Sequence, residues 1–163
     1  MAKKKTNLSA YKAAEIPSGA GMKIAIVVSE WNPEITEALF DAAYETLLAN
    51  GCKEKNILRV NVPGSFELPA GAQLVAESKK PDAVICLGCV IQGETRHFDF
   101  ICDAVANGLV QLSLKYNKPF IFGVLTPNNM EQARARAGGK HGNKGVEAAV
   151  TALKMVALSK SLS

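Results

Sequence analysis

The 163-residue chain has no long apolar run, few aromatic residues and little net charge, and each shortage closes off a class of function. No stretch approaches the ~20 consecutive apolar residues that cross a bilayer, and the first residues lack the apolar segment of a secretion signal. No membrane association and a cytoplasmic location are therefore expected. Aromatic residues make up 6% of the chain and the formal net charge is only +4. Nucleic-acid binding would call for basic residues interleaved with aromatics across the domain, so it is not expected. Two histidines without cysteine or carboxylate partners at ligand spacing supply no metal site.

Cofactor signatures are missing as well. Gly88 and Gly93 have the outer spacing of a phosphate-binding P-loop, yet Glu94-Thr95 stands where a lysine and a hydroxyl residue would have to reach the terminal phosphates and Mg²⁺. Gly19 and Gly21 precede the first candidate strand instead of following it, which excludes the dinucleotide fingerprint. No cofactor is expected. Cys52, Cys86, Cys89 and Cys102 do not make a disulfide framework in a chain of this size. Cys86 and Cys89 have redox spacing, but Cys86 lies inside the apolar run Val84-Ile85-Cys86-Leu87, away from any helix N-terminus that would lower a thiol pKa. Both read as buried structural cysteines.

What the chain does have is a hydrophobic content of 48%, enough for the core of one domain. Residues 1–21 read as a basic N-terminal segment, solvated and partly disordered around Lys3, Lys4 and Lys5, and residues 22–163 as a single domain. Four short runs rich in β-branched residues read as strands: Lys23 to Ser29, Ile57 to Val62, Ala83 to Gly88, and Phe120 to Leu125. Between them apolar residues recur at helical spacing, as in Ile35, Leu39, Ala42, Ala43 and Leu47, or Ile101, Val105, Leu109 and Leu112, or Val146, Val150, Leu153 and Val156. Asn32 is placed to cap a helix that starts at Pro33, and Gly51 to stop it. A short helix is expected from Met130 to Arg136, and the glycine-rich stretch from Gly138 to Gly145 reads as a loop. Strands apolar on both faces, joined by helical crossovers, predict a doubly wound α/β sandwich around a parallel sheet.

In such sheets ligands gather at the carboxyl ends of the strands, and the segments there are rich in chemistry. Ser29-Glu30-Trp31-Asn32-Pro33 follows the first strand, Val62 to Pro69 the second, and Gly88 to Phe98 the third. The backbone N–H groups of Glu94 and Thr95 lie just before a helix, where a phosphate or carboxylate could sit. On this turn alone an anion site and an ordinary βα connection are equally compatible. His97 at the helix start is a candidate general acid or base, or a capping histidine. Arg134 and Arg136 could grip a phosphate or form a solvated face. Trp31, Phe66 and Phe122 could stack on a flat heterocycle or belong to the core.

Taken in order, the Trp31-Asn32 pair, VPGSFELP, LGCVIQGETRHFDF, FGVLT, EQARARAG and GKHGNKG resemble the lumazine synthase family from about Met22 to the C-terminus. The resemblance implies a flavodoxin-like three-layer sandwich with a four-stranded parallel sheet. It also implies a cofactor-free transferase of riboflavin biosynthesis that condenses 5-amino-6-(D-ribitylamino)uracil with 3,4-dihydroxy-2-butanone 4-phosphate, releasing phosphate and water. By the same resemblance Trp31 packs on the pyrimidine ring, where relatives usually carry phenylalanine. Ser65, Phe66 and Glu67 hold the ribityl chain, Cys89, Val90 and Ile91 line the ring, and Phe122 comes from a neighbouring subunit. Glu94 and Thr95 form the phosphate turn, Arg136 grips the phosphate, and His97 transfers protons.

The implied assembly is a homo-oligomer with sites between subunits, either a pentamer or an icosahedral 60-mer of pentamers. Riboflavin synthase is the implied protein partner, and the N-terminal segment beyond its lysines is expected on a neighbour's sheet. Gly138-Gly139-Lys140 joins the last two helices without the insertion that would oppose a shell. Gln92, Glu94 and Arg96 depart from the family's commoner residues, and Glu94 is expected to turn outward toward Arg96 so that its carboxylate does not repel the phosphate. A flavin carrier without turnover and an inactive shell protein are the competing readings.

Overall fold

The structure is a computed structural model that describes residues 7–163, so the expectation for Lys3, Lys4 and Lys5 falls outside the described residues. The six residues of β1 (Ile24–Ser29) are all buried. α1 follows at Pro33–Ala49, β2 at Ile57–Val62 and α2 at Leu68–Lys79. Then come β3 at Ala83–Cys89, α3 at His97–Tyr116, β4 at Phe120–Leu125 and α4 at Met130–Arg136. A short antiparallel ribbon of β5 (Ala137–Gly139) and β6 (Gly142–Asn143) leads into α5 (Lys144–Ser161).

The sheet is parallel throughout, with strand order β2-β1-β3-β4. Side-chain parity divides its cover. Ile24, Ile26 and Val28 of β1 join Ile85 and Leu87 of β3 in a core closed by Ile35, Leu39 and Leu47 of α1 and Leu153 and Val156 of α5. Ala25 and Val27 point the other way, with Val84 and Cys86, into a core closed by Leu68 and Val75 of α2 and Val105 and Leu109 of α3. Each fully buried leucine or isoleucine contributes about 1.5–3 kcal/mol of transfer free energy, which is why strands without a polar face fold only between two helical layers. Among the described residues no helix is long and apolar enough to cross a membrane.

Helix α1 ends as its sequence predicts. Gly51 takes φ +99°, and the N–H groups of Gly51 and Cys52 bond back to the carbonyls of Leu48 and Leu47 at 3.1 and 3.0 Å. The stretch around Gly138 to Gly145 is not the loop its composition suggested. Gly138 and Gly142 at positive φ allow a tight reversal, the ribbon forms, and the Asn143 side chain accepts from Gly145 N at 2.8 Å to start α5 directly. Within the single chain Leu8 and Ser9 lie against this ribbon: Ser9 Oγ accepts from Asn143 N at 2.6 Å, and Leu8 N donates to His141 O at 3.3 Å.

The chain leaves β1 for β2 on one side and returns to β3 on the other, so the sheet order reverses between β1 and β3. The crevice above the carboxyl ends of these two strands is where an open α/β sheet binds its ligand.

Candidate functional site

A cavity of about 520 Å³ opens at that crevice. Loops from three strands build it: Trp31 and Asn32 after β1, Ser65, Phe66 and Glu67 after β2, and Cys89, Val90 and Ile91 after β3, with His97 from the first turn of α3. Eight of the candidate residues thus meet although up to sixty-six positions separate Trp31 from His97 in the chain.

Trp31 is 73% exposed and Phe66 56% exposed, so both aromatic side chains present free surface at the cavity instead of filling the core. The Trp31 backbone N–H donates to Pro63 O at 3.2 Å, and Glu30 N to Val62 O at 2.8 Å, which carries the β1–β2 pairing past the end of the strands. On the other flank Val90 N donates to Leu125 O and Gln92 N to Pro127 O, each at 2.9 Å, so the stretch after β3 stays extended alongside the end of β4. Ser65–Glu67 is a single 3-10 turn in which the Glu67 carboxylate accepts from Gly64 N at 3.1 Å. Ser65 is buried against Gly88, while Glu67 Oε2 spends one acceptor on its own turn.

Asn32 departs from its expected role. It occupies the N-cap position of α1 in a left-handed conformation (φ 59°, ψ 56°) and makes no side-chain cap. Its amide Nδ2 instead donates to Cys89 O at 3.0 Å, tying the end of β1 to the end of β3. Cys89 is 3% exposed and burial pushes its thiol up to about 11; the wholly buried Cys86 thiol is pushed up further for the same reason. Neither is an accessible thiolate at neutral pH, and all four cysteines are free.

The phosphate-turn candidates Glu94 and Thr95 are exposed, as are Arg96 and His97. Thr95 Oγ1 accepts from His97 N at 3.3 Å and so satisfies one of the free donors at the start of α3. Among the described residues no ion pair joins Glu94 to Arg96, so the outward carboxylate is solvated and not neutralised by its neighbour.

Phe122 and Arg136 are not in this cavity. They line a second one of about 380 Å³ at the β4 edge of the sheet, together with Thr126, Gln132 and Lys144. Arg136 donates through one guanidinium nitrogen to His141 O at 2.7 Å and pairs through another with Glu147. Lys144 lies 3.7 Å from the same carboxylate. Two cations therefore share one anion, leaving net positive charge beside the first turn of α5, a setting suited to a phosphate. Sequence reasoning missed Lys144. Its signal was present in the GKHGNKG motif and in its helical i,i+3 spacing to Glu147. Arg134, weighed beside Arg136, is instead paired with Glu34 across to α1, and it lowers that carboxyl's pKa through their hydrogen bond.

Comparison with known proteins gives the family. A family model described as 6,7-dimethyl-8-ribityllumazine synthase matches residues 21–160. A protein of that name from Cytophaga hutchinsonii is 64% identical over 151 residues, covering 93% of this chain and 94% of its own. Another from Parabacteroides distasonis is 54% identical over 153 residues, covering 94% and 96%. A third from Christiangramia forsetii is 52% identical over 161 residues, covering 98% and 96%. With the family model spanning nearly the whole domain and these relatives matching over at least 93% of each chain, the chain belongs to the 6,7-dimethyl-8-ribityllumazine synthase family.

Proposed function

We propose that this protein is a transferase that condenses 5-amino-6-(D-ribitylamino)uracil with 3,4-dihydroxy-2-butanone 4-phosphate in the cytoplasm, giving the lumazine precursor of riboflavin with release of phosphate and water. The observation that carries the reading is the separation of two complementary half-sites. One cavity offers exposed aromatic faces and polar groups, with His97 at its rim, and the other offers Phe122 with Arg136 and Lys144. The first suits a flat ring bearing a polyol, the second a phosphate. Neither cavity of the single chain contains both Trp31 and Arg136. This supports a site completed between subunits, in a pentamer or a shell of pentamers.

In that site Trp31 packs on the pyrimidine while Ser65, Phe66 and Glu67 hold the ribityl chain. The 5-amino nitrogen attacks the ketone carbon, water leaves and an imine forms. Phosphate then departs and the ring closes with loss of a second water. His97 carries protons between these steps, being exposed and at the cavity. Glu94 and Thr95 offer their backbone N–H groups to the phosphate, and Arg136 and Lys144 supply the charge that stabilises it as it leaves. Most of the rate gain comes from holding two reactants in register. A flavin carrier would need neither the paired cations nor His97, and the matching relatives are named as synthases.

Mixing the purified protein with both substrates and following lumazine absorbance tests the reading; a rate equal to the uncatalysed background would refute it. Arg136→Ala should raise the KM for the phosphorylated substrate by roughly 10- to 100-fold, the loss of a charge-assisted hydrogen bond of about 1.5–3 kcal/mol. Unchanged kinetics would remove Arg136 from the site. Sedimentation of the same sample at one or two chain masses would contradict the shared site.

A further inference from the structure

We infer that Asn32 is a positioning residue of the pyrimidine cavity: its side-chain amide sets the distance between Trp31 and the ring-lining stretch Cys89 to Ile91. The inference rests on the reading of the cavity as the pyrimidine site. Three observations carry it. First, Asn32 holds a left-handed backbone conformation that non-glycine residues adopt at a cost and that asparagine tolerates better than most. Second, it occupies a helix N-cap position yet makes no cap, leaving the start of α1 to Pro33 and solvent. Both features are unfavourable locally, and both accompany an Nδ2 that donates to Cys89 O at 3.0 Å.

Third, that bond carries the β1–β3 connection past its last register pair, Val28 with Leu87, to the walls of the cavity. The Trp31 backbone is held toward β2 by its bond to Pro63 O, while Cys89 to Ile91 are held toward β4 through Leu125 O. The two walls of the cavity are thus fastened to opposite halves of the sheet. At the point where the strand order reverses, the Asn32 amide spans them side chain to backbone. Because Trp31 is 73% exposed, packing alone does not fix its indole.

The chemistry asks for a residue that accepts φ near +60° and also carries a donor. Asparagine meets both demands. Aspartate meets the first but places a carboxylate against the Cys89 carbonyl, and glycine meets the first with no side chain at all.

Two variants of the full chain therefore separate the tether from the backbone. In Asn32→Gly and in Asn32→Asp the KM for 5-amino-6-(D-ribitylamino)uracil should rise about tenfold, as for the loss of one part-buried hydrogen bond. The KM for the butanone phosphate should stay within about twofold. Asn32→Asp should melt at or above the wild-type temperature, because a carboxylate at the start of α1 can take up the capping role and complement the helix dipole. Trp31 is the only tryptophan in the chain, so its emission reads the same contact without turnover. Acrylamide quenching of the substrate-free protein should increase, and emission anisotropy fall, in both variants.

A pyrimidine KM within twofold of wild type in both variants, an equal rise in both KM values, or unchanged quenching in both would each overturn the inference. Should Asn32→Asp fail to fold, Asn32→Gly decides alone, since it keeps the backbone conformation at no steric cost. If the wild-type protein forms no lumazine, the proposed reaction fails. The quenching comparison still decides whether Asn32 holds Trp31.

Discussion

Gly145→Ala tests how the proposed phosphate half-site is held. A methyl group at this position would lie 2.0 Å from the Leu39 carbonyl oxygen of α1, 2.8 Å from the Leu39 carbonyl carbon and 2.9 Å from Asn143 Oδ1. Ordinary carbon–oxygen contact needs roughly 3.3 Å, so α1 and α5 must part by about 1 Å or the first turn of α5 must unwind. The obstruction is main chain, and no rotamer change relieves it. Overpacking of a tight seam costs about 1–3 kcal/mol, and the Asn143 cap that accepts from Gly145 N is placed at risk with it, for about 1 kcal/mol more.

Alanine's better helix propensity recovers at most about 1 kcal/mol, and less in a first turn. The net loss of about 2 kcal/mol corresponds to a fall in Tm of roughly 4–8 °C for a chain of this size. Thermal unfolding followed by circular dichroism at fixed protein concentration measures it, with Gly93→Ala as the control because nothing lies within 4 Å of a methyl group there. Lys144 precedes the displaced residue, so the KM for the phosphorylated substrate should rise as well. A Tm within 2 °C of wild type, with the control equally unchanged, would show that the α1–α5 seam is not closed as described.

Two further outcomes follow from the same geometry. Gly88→Ala would place a methyl group 2.5 Å from Ser65 Oγ and 3.1 Å from Leu68 Cδ1, so Ser65 should be pushed toward the cavity and the KM for the pyrimidine should rise several-fold; unaltered kinetics would show that Ser65 moves freely. Iodoacetamide at pH 8 should label half-buried Cys102 before Cys86 and Cys89, and equal labelling rates in the folded protein would contradict their burial. Because burial raises the Cys89 thiol to about 11, the folded state prefers its protonated form. That contribution is present below the ordinary thiol range and is lost as pH climbs from about 9 toward 11, so stability should decline across that window.

The four strands and the helices α1, α3, α4 and α5 were legible in the chain, through an apolar run as in Ile24–Ser29 or a spacing of three and four as in the helix from Pro33, whereas α2 at Leu68–Lys79 was not singled out. Local chemistry likewise marked the stop at Gly51, where a positive φ is needed. The same rules misread two places. Asn32 has the composition of a cap, but a carbonyl on a strand remote in sequence competes for its amide and takes it. The stretch from Gly138 has the composition of a loop, yet its glycines at positive φ fold it into a ribbon that leads directly into α5, where Lys144 lies one turn before the Glu147 carboxylate shared with Arg136. Ordered motifs pointed to the family and to the candidate residues, since side-chain type is written in the chain itself.

How those residues are divided was decided by tertiary structure alone. The reversal of strand order gathers Trp31, Ser65, Cys89 and His97 into one cavity, and the position of β4 at the sheet edge sends Phe122 and Arg136 to another. Spacing along a chain sets local periodicity, whereas the side of the sheet on which a crossover returns depends on how both cores close at once.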